Sequence, residues 1–168
     1  MTIPPSSGRR KRRLVRPDGP PDDLLLVIRA MPVSRSAAVD QMVEDAEFSA
    51  RLYVLEGEGG SRELLYGISV FAHGAGQDPR RVLDRFRAAP MFVEAPVGAI
   101  RAAGFEVIPT GSGADHFDVQ LIVGVTEADP LPSEREVRDA ASRVLDVAGE
   151  MRPNPFYTDY TGYVPEEN

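Results

Sequence analysis

Residues 117–149 have the sequence FDVQLIVGVTEADPLPSEREVRDAASRVLDVAG, and this stretch carries the two clearest structural signals in the chain. Every second residue from Phe117 to Val125 is apolar, which is the period of a β-strand. Ser133 and Glu136 then have the spacing of a capping box, in which each side chain satisfies a backbone N–H at the start of a helix. Apolar residues follow at helical spacing up to Ala148. The stretch therefore predicts a strand followed by an amphipathic helix.

The residues before this stretch predict four further strands and three further helices. The strands are expected at 24–30, 50–54, 64–71 and 105–108, and the helices after Ser34 or Ser36, after Asp78, and at 95–103. The second and third of these strands flank the glycine-rich segment 56–61 and are expected to form a hairpin. The order β-α-β-β-α-α-β-β-α predicts a single α+β domain over residues 22–150. Its sheet should be mixed and mostly antiparallel, with about five strands and three to four helices.

Length and composition narrow the class of protein. The chain has 168 residues and no Cys, which suits one domain and excludes disulfides and thiol catalysis. No window approaches the roughly 18–20 apolar residues that a membrane span needs, and the short apolar run 24–28 follows two Asp residues, unlike an export signal. We therefore expect a cytoplasmic protein that does not enter membranes.

The first 21 residues form a basic segment that differs from the rest of the chain. All six basic residues up to Arg16 precede the first acidic one, so residues 17–168 hold 13 basic residues against 26 acidic ones. A segment without an apolar run cannot bury enough surface to order itself, which predicts a disordered arm over residues 1–21. It could contact nucleic acid or another acidic surface, or act as a solubilising tail. The contacting residues would be Arg9, Arg10, Lys11, Arg12 and Arg13.

Residues 151–168 predict a proline-containing tail with an unusual number of aromatic residues. Three prolines prevent the preceding helix from continuing, and aromatic residues are uncommon in free tails. The tail is expected either to drape over its own domain, which we favour, or to dock on a partner protein. In the second case the binding residues would be Phe156, Tyr157, Tyr160 and Tyr163.

Several kinds of functional site have only partial support in the sequence. The glycine-rich loops at 57–60 and 111–113 lie between strands, so neither offers a helix N-terminus to a phosphate. Two His and two Asp residues could together bind a metal ion: His73, Asp115, His116 and Asp118. Because the sequence has no helical pair of His residues, we expect no metal site. No base could be assigned to Ser69 or Ser112, which argues against a serine nucleophile.

Arg29 lies at the end of the first apolar strand, where its permanent charge requires a partner. Arg29, Ser69 and a later glutamate occur in an order that resembles the ADP-ribosyltransferase-like enzymes; the candidate glutamates are Glu94, Glu106 and Glu127. The resemblance implies that Arg29 holds the phosphates of NAD, that Ser69 braces the site and that the glutamate orients the nucleophile on the ribose. This chain has Ile68-Ser69-Val70 where that family has Ser-Thr-Ser. The alternative is a structural ion pair at a strand end.

A second resemblance covers residues 24–123. It is carried by the segments LVIRAMP at 26–32, YGISV at 66–70, IRAAGF at 100–105 and DHF at 115–117. These resemble small actinobacterial α+β proteins, some of which are similar to members of toxin–antitoxin or other conflict operons. The resemblance implies a biological context and no particular reaction.

From the sequence we expect a small acidic protein–protein interaction module without a cofactor, and the second resemblance implies that it is a component of a conflict or toxin–antitoxin-type system. The arm would add an electrostatic contact, so nucleic acid is a further candidate partner. The alternative is an NAD-using enzyme built around Arg29, Ser69 and His116. Convergence of these three side chains on one concave pocket would favour the enzyme.

Overall fold

The computed structural model describes residues 12–15, 20–30, 34–74, 78–110 and 115–158. The strands in these residues are β1 (Arg12–Val15), β2 (Leu25–Ala30), β3 (Tyr53–Glu56), β4 (Arg62–Leu64), β5 (Tyr66–His73), β6 (Met91–Pro96), β7 (Glu106–Pro109), β8 (His116–Ile122) and β9 (Arg152–Pro153). The α-helices are α1 (Arg35–Leu52), α2 (Arg80–Leu83), α3 (Val97–Ala102) and α4 (Glu134–Val147).

Six strands form an antiparallel sheet in the order β7-β8-β5-β2-β6-β9. A second sheet has the order β1-β3-β4, with β1 parallel and β4 antiparallel to β3. The predicted α+β class is confirmed. The described residues contain more strands than the five that were predicted.

The main core lies on one face of the six-stranded sheet. Helices α1, α3 and α4 place their apolar residues against it, and Ala46, Ile100 and Val144 are each fully buried there. The opposite face carries a smaller apolar cluster, against which α2 and the C-terminal segment pack: Val27, Val82, Leu83 and Phe92, with the partly buried Phe71, Phe86 and Phe156. Because side chains alternate along a strand, Ser69 shares this second face with Phe71.

Helix α1 begins after Ser34, whose hydroxyl accepts a hydrogen bond from the Ala37 N–H at 3.2 Å. The helix continues to Leu52, so the predicted strand at 50–54 is wrong for its first three residues. Ala46 and Ala50 are both buried and one turn apart, and this packing keeps the chain helical. Strands β2 and β5 pair only through residues 25–27 and 71–73. Helix α1 packs against β5.

The predicted hairpin around the glycine-rich segment 56–61 is confirmed where Val54 pairs with Leu64, but it does not extend along residues 65–71. Strand β3 pairs with the short β4, and the chain then passes through Leu65 into β5, which belongs to the other sheet. Strand β6 was not predicted, and the helix expected at 95–103 is confined to α3. Phe92 and Val93 are both buried, so β6 lacks the polar–apolar alternation by which a strand is recognised.

Other local predictions are confirmed. Helix α4 has both halves of the capping box, with Ser133 Oγ accepting from the Glu136 N–H and Glu136 accepting from the Ser133 N–H. Gly104 follows α3 with φ of 95°, a conformation that favours glycine. None of the helices in the described part of the chain combines the length and apolar composition that crossing a bilayer requires.

The N-terminal arm is not unstructured throughout, because residues 12–15 form β1. This strand pairs with β3 through backbone hydrogen bonds, and such pairing is open to any extended chain that reaches an unpaired strand edge. Amino-acid composition indicates how much side-chain surface a segment can bury, whereas the pairing of β1 depends on backbone hydrogen bonds. Residues 1–11 and 16–19 lie outside the described part.

Residues 151–158 pack on the domain, as the favoured prediction for the tail expected. Strand β9 pairs with β6, and Asn154 is buried with only 5% of its surface exposed. Its side-chain amide donates to the carbonyl oxygens of Phe86 and Ala89, each at 3.0 Å. The tail is thereby held over the segment that precedes β6.

Candidate functional site

Ser69 and His116 meet on the second face of the six-stranded sheet. Strands β5 and β8 pair so that Ser69 lies opposite Asp118 and Phe71 lies opposite His116. Residues on diagonal positions of neighbouring strands are within reach of each other on the same face. Accordingly, Ser69 Oγ and His116 Nε2 are 2.5 Å apart and form a hydrogen bond.

The other side of the imidazole contacts Thr110, which directly follows β7. Thr110 Oγ1 lies 3.5 Å from His116 Nδ1, and the same hydroxyl donates a hydrogen bond to Asp118 Oδ2. The directions of donation are consistent when Nδ1 carries the proton: the serine donates to Nε2, Nδ1 donates to the threonine, and the threonine donates to the carboxylate. The Phe71 ring packs edge-on against the imidazole, with the ring centroids 4.9 Å apart.

These polar groups line a cavity of about 300 Å³. Its walls come from α1, from the start of β3, and from β5, β8 and the segment after β7: Asp45, Phe48, Ser49, Leu52, Tyr53, Leu65, Gly67, Ser69, Thr110, His116 and Asp118. The α1 residues fall at intervals of three, four and seven, which places them on one side of that helix. The cavity therefore lies between the C-terminal half of α1 and the polar side chains of β5 and β8.

Gly67 leaves room for the acid of this cluster. A Cβ added at Gly67 would lie 3.1 Å from both Asp118 Cβ and Leu65 Cδ1. Such contacts are closer than normal packing allows. The absence of a side chain at position 67 therefore lets Asp118 lie close to β5, next to Thr110.

Asp118 is the most deeply buried acidic group of the site, with 6% of its surface exposed. Burial raises the pKa of Asp118, and the negative charge of Asp45 adds to this effect. The hydrogen bond from Thr110 and the neighbouring His116 act in the opposite direction without cancelling it. The carboxyl group is thus held in a dry environment where the ionised form is costly.

This arrangement has the elements of an activated hydroxyl nucleophile. A serine hydroxyl is a weak nucleophile until an adjacent base accepts its proton, and the diagnostic geometry is a nucleophile–base hydrogen bond with the base oriented by a third group. Here Ser69, His116 and Thr110 occupy those three positions. Asp118 acts one step further away, through the threonine.

The structure brings two of the three predicted catalytic residues together. Ser69 and His116 converge on the cavity. For Arg29 the structure describes the backbone, which pairs with Phe92 of β6, and not the side chain. Ser69 does have a base, contrary to the expectation from the sequence: strand pairing brings His116 to it from 47 residues away.

Thr110 was not identified from the sequence, and Asp118 was considered only as a metal ligand. The period of two in β8 already placed His116 and Asp118 on one face. Pairing β8 with the strand that carries Ser69 would have completed the cluster.

His73 belongs to a different part of the sheet. Its Nδ1 contacts the Gly74 carbonyl oxygen at 3.0 Å and its Nε2 lies 3.3 Å from Glu94 Oε1, while Arg152 contacts the other carboxylate oxygen at 2.9 Å. His73 therefore does not join His116 as a second imidazole. Among the residues that the structure describes, no group of three or more His, Asp or Glu side chains is arranged to hold a metal ion.

A second cavity of about 540 Å³ is larger than the first, and it borders His73 and α2. Its charged residues largely compensate one another, with Arg85 and Asp115 forming an ion pair at 2.8 Å. Those of its lining residues that the structure describes include neither serine nor threonine. The smaller cavity is the better candidate site because a hydroxyl group and a base are already hydrogen-bonded there.

The predicted partner-binding residues of the tail and of the N-terminal arm differ in where the structure places them. Phe156 packs on the second apolar cluster, so its own domain occupies the ring that was assigned to a partner. Tyr157 is 44% exposed. Tyr160 and Tyr163 lie outside the described residues, as do Arg9, Arg10 and Lys11. Arg12 and Arg13 lie in β1, where only the backbone is described.

Comparisons of this chain with protein-family models, with curated proteins and with solved structures found no match.

Proposed function

We propose that the protein is a serine-dependent acyl-transfer enzyme that hydrolyses small esters or amides. The single observation that carries this proposal is the 2.5 Å contact between Ser69 Oγ and His116 Nε2 inside a cavity. The cavity volume of about 300 Å³ is at the lower end of the range for ligand pockets. The acyl group that it accepts is therefore small.

Each group has a defined part in the proposed reaction. Ser69 Oγ attacks the carbonyl carbon of the substrate while His116 Nε2 removes the hydroxyl proton. The tetrahedral intermediate then expels the leaving group, which takes the proton from Nε2–H. Water attacks the acyl ester on Ser69 and gives its proton to Nε2. The released oxygen of Ser69 recovers that proton as the acid departs.

Thr110 and Asp118 are positioning residues in this scheme. By accepting from Nδ1–H, Thr110 keeps the proton on Nδ1 and leaves Nε2 available to accept from Ser69. In its ionised form Asp118 stabilises the imidazolium that forms during attack. Neither residue contacts the carbonyl carbon.

A fluorophosphonate probe, which phosphonylates activated serine hydroxyls, tests the proposal directly. The wild-type protein should be labelled at Ser69, and Ser69→Ala should lose the label. His116→Gln should slow labelling by about 100-fold or more, since a general base typically contributes 10²- to 10⁴-fold. The readout is the labelling rate, with the modified peptide identified by mass spectrometry.

Ser36→Ala is the matched control, because Ser36 is exposed on α1 and lies outside the cavity lining. It should be labelled at the wild-type rate. A wild-type protein that takes no label at Ser69, or a His116→Gln variant that is labelled as fast as wild type, would contradict the proposal.

A protein-interaction role is a second proposal, favoured by the 44% exposure of Tyr157 at the end of the described tail. If the tail docks on a partner, Tyr157→Ala combined with removal of residues 159–168 should abolish a specific complex from the native host. Residues 151–156 must be kept in this experiment, because they pack on the domain. Recovery of the same complex from the altered and the unaltered chain would rule out docking through the tail.

The remaining expectations from the sequence stay proposals: an ADP-ribosyltransferase-like activity, membership of a conflict system, nucleic-acid contact through the arm and a cytoplasmic location.

A further inference from the structure

Among the described residues that line the cavity, the charged groups are acidic. Its lining contains the carboxyl groups of Asp45 and Asp118 and, among the described residues, no Arg or Lys. Arg51 lies over the Phe48 ring, 6.0 Å from its centroid, but it is exposed and does not line the cavity. Solvent and salt screen such a surface charge more than they screen partly buried ones. The carboxyl groups of Asp45 and Asp118 attract a cationic group and repel an anionic one.

Asp45 presents a carboxylate with a fixed orientation to a molecule in the cavity. It lies on α1, half-buried, and Gln41 Nε2 donates a hydrogen bond to its Oδ1 at 3.0 Å, which holds the carboxylate in one orientation. Its negative charge reaches Asp118 across the cavity and contributes to the raised pKa of that group. A cation between the two carboxyl groups would relieve this repulsion.

The same side of α1 also offers apolar contact. Phe48 and Leu52 follow Asp45 at intervals of three and seven residues, so the carboxylate, the aromatic ring and the aliphatic side chain lie along one edge of the cavity. A carboxylate beside an aromatic face suits an organic ammonium group, which is attracted by both.

We propose that the substrate of the Ser69 site carries a protonated amine, which Asp45 binds, next to a small apolar group that packs on Phe48 and Leu52. This inference rests on the proposed function for the reaction itself. The recognition of an ammonium group can nevertheless be measured without turnover.

The test is an NMR titration of the ¹⁵N-labelled full chain with three probes of matched size: benzylammonium, benzyl alcohol and benzoate. Benzylammonium should shift the backbone amides of Asp45 and Gly67 and bind about tenfold more tightly than benzyl alcohol, as one charge-assisted hydrogen bond allows. Benzoate should leave these amides unchanged. Asp45→Asn should remove the preference for the ammonium probe.

Glu44→Gln is the matched control, since it removes the same charge from an exposed neighbouring position that does not line the cavity. It should keep the tenfold preference. Equal binding of the three probes, tighter binding of benzoate, or an unchanged preference in Asp45→Asn would overturn the inference.

The two proposals fail in different ways. Loss of fluorophosphonate labelling with a retained ammonium preference would remove the reaction and keep the binding site. Labelling of Ser69 without an ammonium preference would keep the reaction and remove the substrate class.

Discussion

At the scale of single residues, Asp118 combines a carboxyl group with deep burial. It lies on the face of β8 that also carries His116 and the buried Gln120, and only 6% of its surface is exposed. The compensation is a hydrogen bond from Thr110 and the proximity of His116. Natural chains retain such costly groups chiefly at functional sites.

This burial predicts how stability depends on pH. Because burial raises the pKa of Asp118 above its ordinary value of 3.8, the folded protein keeps a proton that the unfolded chain has already released. The contribution of Asp118 to the free energy of unfolding therefore falls as the pH rises above 3.8, until the folded-state pKa is passed. Asp118→Asn removes this loss, so the variant should gain on wild type as the pH increases. Urea unfolding between pH 3.5 and 7 measures the difference.

Asp129 provides a control of opposite sign. Hydrogen bonds from the backbone and the hydroxyl group of Thr126 lower the pKa of Asp129. Its stabilising contribution is present above the ordinary pKa and is lost as the pH falls. Asp129→Asn should therefore lose ground to wild type as the pH rises. If Asp118→Asn showed that same trend, Asp118 would not be destabilised by burial.

At the scale of elements, α1 decides whether the cavity exists, because it supplies one wall of it. The sequence offered two residues that could cap this helix, Ser34 and Ser36. Ser34 has extended backbone angles and its hydroxyl accepts from the Ala37 N–H, while Ser36 lies within the first turn. Packing on β5 then carries the helix to Leu52, beyond the end that the apolar pattern indicated.

The assignment of the cap can be measured. Ser34→Ala should lower the free energy of unfolding by about 1 kcal/mol, the usual cost of losing an N-cap hydrogen bond. Ser36→Ala should change it by less than about 0.5 kcal/mol, as expected for an exposed position. Chemical denaturation of both variants provides the comparison. A larger loss for Ser36→Ala than for Ser34→Ala would mean that the helix starts at a different residue.

At the scale of the whole molecule, the C-terminal segment closes the second face of the sheet. Phe156 packs on the apolar cluster of β2, β6 and α2. Asn154 joins the segment to the chain before β6 through its amide and through its backbone N–H, which donates to the Pro90 carbonyl oxygen at 2.8 Å. These contacts join residues more than 60 positions apart.

Two truncations separate this structural role from a binding role. Removal of residues 151–168 should destabilise the domain by roughly 2–4 kcal/mol, the combined order of one buried aromatic side chain and the lost hydrogen bonds. Removal of residues 159–168 should leave the stability close to that of the full chain. Thermal unfolding measures both effects. Equal stability of the two shortened chains would show that the packing of Phe156 and Asn154 contributes little.

Local sequence signals were sufficient to predict an element where residues close together in sequence supply its hydrogen bonds or its apolar periodicity. The capping box at Ser133 and Glu136, the apolar stripe of α4 and the alternation in β8 each depend on residues a few positions apart, so the sequence determined these elements and the α+β class. The same kind of signal misled at residues 50–52, where a pattern with period two was overruled by packing on β5.

Tertiary structure alone decided the order of the strands, the extension of α1, the pairing of β1 and the position of β6 beside β2. It also created the candidate site. Ser69 and His116 are 47 residues apart, and their contact depends on the register of β5 against β8. Packing of the whole core determines that register. The sequence specifies which chemical groups are present. The distances between groups that are remote in sequence are set only when the apolar surfaces of all the elements are buried together in one core.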